Sequence, residues 1–81
     1  MDVNDWNWVV NPSDMTCRNV ENSVIIKMEK DGDRLRGTLH DMPMTLFAEI
    51  ARIKNGEQII ERMVRLAEEK YLESGPGHLL V

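Results

Sequence analysis

The chain predicts an α+β fold in which an antiparallel β-hairpin, about residues 23–40, packs against two C-terminal helices, about 43–54 and 57–73. Three observations carry this expectation. Residues 23–30 (SVIIKMEK) are rich in β-branched side chains and run into Asp31-Gly32, a preferred pair for a two-residue turn. From residue 44 onward apolar side chains recur at helical spacing, first Leu46, Ile50 and Ile53, then Ile60, Met63, Val64, Ala67 and Tyr71. A composition of 42% hydrophobic and 30% charged residues belongs to a globular chain, since a disordered one combines few apolar residues with a large net charge.

At the N-terminus Trp6, Trp8 and Val10 alternate as in a short strand, and Asn11-Pro12-Ser13-Asp14 reads as a turn. Residues 15–21 carry no decisive period. In the hairpin, pairing Lys30 with Asp33 sets Met28 opposite Leu35, Ile26 opposite Gly37 and Val24 opposite Leu39 on one face. The other face then receives Ile25, Lys27, Glu29, Arg34, Arg36, Thr38 and His40, with Ile25 the one misfit and Lys27 directly across from Arg36. Gly37 leaves a shallow spot on the inner face for a side chain from a covering helix.

Asp41 is placed to cap the first helix, with Pro43 in its first turn, where the missing N–H does no harm. Leu46, Ala48 and Ile50 also alternate as a third strand would, so helix and strand both remain open for residues 44–50. Asn55-Gly56 reads as a stop, because glycine enters the left-handed conformation that closes a helix. The second helix begins near Glu57, is supported by the Glu61/Arg65 pair at i, i+4, and ends at Ser74-Gly75-Pro76-Gly77. Residues 74–81 read as a flexible tail whose Leu79-Leu80-Val81 is free to dock elsewhere.

Eighty-one residues make a single small domain, 1–81, with a thin core, because a chain this short buries only about 60–65% of its unfolded surface. The single cysteine, Cys17, forms no internal disulfide, which favours a reducing compartment. No basic-then-apolar leader is visible and no apolar run approaches the ~18 residues of a membrane span, so the expectation is a cytoplasmic protein with no membrane association. A net charge of −4 argues against bulk electrostatic binding to nucleic acid.

The search for chemistry returns little. Cys17, His40 and His78 lie far apart, without the convergent spacing of a metal site, and Asp31-Gly32-Asp33 lacks the further oxygen ligands and the sixth-position glycine of a calcium loop. No glycine-rich phosphate cradle and no nucleophile with a paired base occurs, so neither a catalytic residue nor a cofactor is expected. His40 beside Asp41 has the residue types of an acid or base, and Cys17 beside Arg18 those of an activated thiol. Their simpler readings are an exposed strand-end histidine next to a helix cap and a small semi-buried residue.

Two surfaces survive as candidate partner-binding sites. The outer hairpin face carries Lys27, Arg34 and Arg36 against Glu29, and like charges set opposite each other repel unless an anion lies near. Trp6 and Trp8 form the other, although aromatics at period two also serve to cap a small core.

The order WNWVVNP at 6–12, MTCRN at 15–19, the hairpin, DMP at 41–43 and NGE at 55–57 resembles a family of small bacterial proteins with no assigned function, which implies no catalytic residues. More distantly, IKMEKDGDRLRGTLHDMP at 26–43 followed by a helix is similar to HicB-like antitoxins, whose strand pair and helix form a partner-binding domain, although residues 44–54 depart from that pattern. Two helices after a strand also resemble ribbon-helix-helix DNA binders, whose strand is not normally tied into an intrachain hairpin. The function expected is therefore a non-enzymatic protein-interaction domain, with a protein partner or self-association, possessing exposed Ile25, Trp6 and Trp8. The alternative is a regulatory or antitoxin-like module that binds nucleic acid or a toxin through Lys27, Arg34 and Arg36.

Overall fold

A computed structural model describes residues 1–74, and within them four strands precede two helices. The strands are β1 (Trp8–Asn11), β2 (Thr16–Asn19), β3 (Ile25–Asp31) and β4 (Arg34–Asp41), and the helices are α1 (Met44–Ala51) and α2 (Gly56–Glu73). The sheet is an antiparallel meander in the order β1-β2-β3-β4. β1 forms where Trp6, Trp8 and Val10 alternate, and β2 forms on residues 15–21, where the sequence carries no decisive period. Of the expected tail, Ser74 caps the C-terminus of α2, and residues 75–81, with Leu79-Leu80-Val81, lie outside the described residues.

The hairpin of β3 and β4 stands where the β-branched run predicts it, with a corrected register. Asp31 pairs with Arg34, so the loop residues are Gly32 and Asp33 rather than Asp31 and Gly32. Gly32 takes φ +64° while Asp33 keeps a negative φ, the pattern of a turn with glycine in its first central position. The shift is two residues in pairing: Met28 faces Gly37, Ile26 faces Leu39 and Lys27 faces Thr38. Because side chains alternate with period two, an even shift preserves every residue's face, and Val24, Ile26 and Met28 are buried as expected.

It does change the neighbours. Arg36 lies opposite Glu29, so the expected like-charge pair of Lys27 and Arg36 does not form. A bulge between Ile25 and Ile26 pairs Ile25 with Asp41 and Ile26 with Leu39, leaving His40 as the extra, exposed residue.

Residues 44–51 are helical, which removes the third-strand alternative for them. Asp41 is not the cap. It closes β4 and its carboxylate accepts the Met42 N–H, while Pro43 holds the N-cap position of α1 and its carbonyl accepts the Phe47 N–H at 2.9 Å. Asn55-Gly56 does begin a new helix, but not through a left-handed glycine. Gly56 is the first residue of α2, buried, and an added Cβ would stand 2.4 Å from the Ile50 carbonyl oxygen. Glycine is needed there because the start of α2 lies directly against the end of α1.

The 18-residue α2, about 27 Å long, packs against all four strands, whereas the backbone of α1, among the described residues, lies close to α2 and not to the strands. One core joins the layers: Trp8, Cys17, Val24, Ile26 and Met28 from the sheet side, Met63, Ala67 and Tyr71 from α2, and Leu46 and Ile50 from α1. The N-terminal segment joins it through Val3, and Asn4 accepts a 2.8 Å hydrogen bond from the Arg62 guanidinium of α2. Gly37 makes the shallow spot expected of it, with side-chain carbons of Val64 and Glu68 of α2 at 3.1 Å from where a Cβ would stand, and its N–H donates to the Glu68 carboxylate at 2.7 Å. No helix among the described residues is long and apolar enough to cross a membrane.

Candidate interaction surface

The helices cover one face of the sheet and leave the other open. Strand alternation assigns the open face to Val9, Asn11, Thr16, Arg18, Ile25, Lys27, Glu29, Asp31, Arg34, Arg36 and Thr38. The pairings arrange these side chains in rows across the strands. Val9, Arg18, Ile25 and Asp41 form one row, and Asn11, Thr16, Lys27 and Thr38 the next. Two shorter rows follow, Glu29 with Arg36 and Asp31 with Arg34.

This arrangement sorts the three expected cations. Arg34 and Arg36 each face a carboxylate directly across the ladder, so their charge is locally answered. Lys27 is flanked by Thr16 and Thr38 instead. Arg18 belongs with Lys27: it sits on a central strand between Val9 and Ile25, neither of which can neutralise it. A groove of about 410 Å³ runs here, lined by Val9, Val10, Asn11, Asp14, Thr16, Arg18 and Ile25. Val9 is 48% exposed and Ile25 half-buried, so the groove combines apolar walls with a cation, while the Asp14 carboxylate at its rim accepts a hydrogen bond from the Asn11 amide. The misfit at Ile25 was the sequence signal for it; Val9 and Arg18 carried none until β1 and β2 were paired.

Trp6 and Trp8 lie on the opposite, helix-covered side. Trp8 is 7% exposed and part of the core, and Trp6 is half-buried beside it with ring centroids 6.2 Å apart. The pair closes the core over the end of α2, where a cleft of about 220 Å³ is lined by both rings with Asn7, Leu66, Glu69, Lys70 and Glu73. The Trp8 indole N–H is buried without an acceptor among the described residues.

The other residues singled out for chemistry are placed apart. His40 is exposed at the bulge while the Asp41 carboxylate is engaged by the Met42 N–H. Cys17 and Arg18 point to opposite faces of β2, so the guanidinium does not activate the thiol. Cys17 is fully buried, and burial pushes its pKa up from 9.0 to about 11, opposed in part by the positive charge of Lys70. Among the described residues no three His, Cys, Asp or Glu side chains gather as a metal-binding group. Comparison of the chain with protein-family models, with curated proteins and with solved structures finds no match.

Proposed function

We infer that this chain is a non-enzymatic interaction domain that receives an acidic protein segment on the open face of its sheet. The observation that carries the reading is the pair of central-strand cations, Arg18 and Lys27, which lack a carboxylate across the ladder and adjoin the exposed Val9 and the half-buried Ile25. A segment that alternates acidic and apolar side chains matches both properties, because apolar contact excludes water while the opposite charge orients the approach. The apolar walls at Val9 and Ile25 favour a protein segment over nucleic acid, whose dense phosphate charge needs more clustered cations than a chain of net charge −4 presents here.

The test is a titration of ¹⁵N-labelled protein with a peptide of alternating Glu and Leu, alongside a single-stranded oligonucleotide of equal charge. Amide shifts are expected at Val9, Arg18, Ile25 and Lys27 with the peptide, and their loss in the double variant Arg18→Glu, Lys27→Glu. A response to the oligonucleotide alone transfers the reading to nucleic-acid binding. Shifts confined to the helices reject the open face.

A further inference from the structure

We propose that α1 is the contact through which two copies of this chain associate, each inserting Phe47 into the cleft beside α1 of the other. The starting point is the sequence of the helix, Met44-Thr45-Leu46-Phe47-Ala48-Glu49-Ile50-Ala51, which carries two apolar stripes and one charge. Leu46 and Ile50 form the stripe turned into the core. Met44, Phe47, Ala48 and Ala51 stand at i, i+3, i+4 and i+7, the spacing of a second buried face, yet all four are exposed, Met44 by 81% and Phe47 by 50%. A helix apolar on both sides is expected to be covered on both, and α2 covers only one.

The shape and charge of this corner select a second copy as the occupant. Next to the exposed stripe, the junction of α1 and α2 leaves a cleft of about 440 Å³ lined by Phe47, Ile50, Ala51, Ile53, Lys54 and Gly56, among others. Phe47 is thus both a protruding ring and one wall of a hollow large enough for such a ring. A twofold axis brings the two together reciprocally, as an isologous contact requires. The small side chains of Ala48 and Ala51 let two helix backbones approach to about 8 Å.

The charges near this corner are self-complementary as well. Glu49 and Glu57 against Arg52 and Lys54 give two of each sign, so a twofold can set acid against base, whereas a strongly charged partner gains nothing here. The open sheet face, with its unanswered cations, offers no such self-match. An α1 of about 12 Å limits the buried area to the lower end of the dimer range, about 1,200 Å² in total, which corresponds to reversible association at micromolar concentration.

Sedimentation equilibrium from about 5 to about 500 μM covers that range. The wild-type chain is expected to pass from monomer to dimer. Phe47→Ala should weaken association about tenfold or more, as removal of a central aromatic anchor does. Met44→Glu tests the same face at a position too exposed to affect folding, and its thermal melt at low concentration should match the wild type. The sheet-face variant Arg18→Glu, Lys27→Glu should dimerise normally, which separates this contact from the partner face proposed above. A chain that stays monomeric throughout overturns the proposal. So does a dimer that survives both α1 substitutions or dissolves with the sheet-face variant.

Discussion

Cys17 and Asn19 sit two residues apart on the inner face of β2, both with no exposed surface, and they illustrate how differently single residues can be read. The cysteine acts by burial. Its thiol keeps its proton to about pH 11, while in the unfolded chain it ionises near 9.0. Below pH 9 both states are protonated and this group leaves stability unchanged; between 9 and 11 the unfolded state holds fewer protons, so stability falls as pH rises through that window, by about 2 kcal/mol. Urea unfolding of wild type and Cys17→Ala across this range should show the steeper loss in the wild type. Parallel curves would mean that the thiol does not titrate differently in the two states. Asn19 acts by bonding, and its role was not legible: its amide donates to the Asn7 carbonyl at 3.2 Å and its carbonyl accepts the N–H groups of Glu21 and Asn22 at 3.0 and 2.7 Å. These bonds shape the β2–β3 loop, where Ser23 takes φ +57°. A polar residue at one end of a four-residue strand offers no pattern from which such a knot can be inferred, because its partners come from two separate segments, one before β1 and one in the β2–β3 loop.

At the scale of elements, legibility followed the strength of the period. The β3–β4 hairpin and α2 were read from runs of seven residues or more, in which face and type reinforce each other. The register was displaced because Asp31-Gly32-Asp33 offers two adjacent loop pairs, and the choice between them lies in the φ of Gly32 and Asp33 rather than in the residue types. The strand β1 was announced by the alternation at Trp6, Trp8 and Val10, whereas β2, at four residues, is too short to declare a period, and only its pairing with β1 identifies Arg18 as an open-face cation. The α1–α2 junction was located correctly for a mistaken reason. Gly56 is kept by proximity to the Ile50 carbonyl, not by a left-handed φ, so the two explanations predict different substitutions. Were the position left-handed, Asn would be tolerated there. Because the obstruction is backbone at 2.4 Å, Gly56→Ala and Gly56→Asn should both destabilise by about 3 kcal/mol, by forcing α1 away from α2. Chemical denaturation of the two variants decides, and a mild effect of Asn alone would restore the left-handed reading.

Across the whole molecule, cohesion is distributed unevenly. The long α2 touches every strand and ties the sheet to the helical layer, and the Glu68 carboxylate binds the outward Gly37 N–H, so the β4 edge is occupied by α2 as well. α1 is held by the burial of Leu46 and Ile50 in the shared core and by the tight passage at Gly56, and among the described residues its backbone lies close to α2 but to no strand. An eight-residue helix has little stability of its own, so its persistence depends on those few contacts. Hydrogen exchange should therefore separate two units: the amides of Phe47 to Ala51 opening at lower free energy than Met28 or Met63, which exchange only on global unfolding. The same experiment bears on association. If α1 is closed between two copies, its protection increases with protein concentration while that of β3 and α2 stays constant, since only the less stable unit gains a new partner. Exchange of α1 at the global rate in dilute solution would instead make the fold one cooperative unit, and protection of α1 independent of concentration would leave its second apolar stripe uncovered in solution.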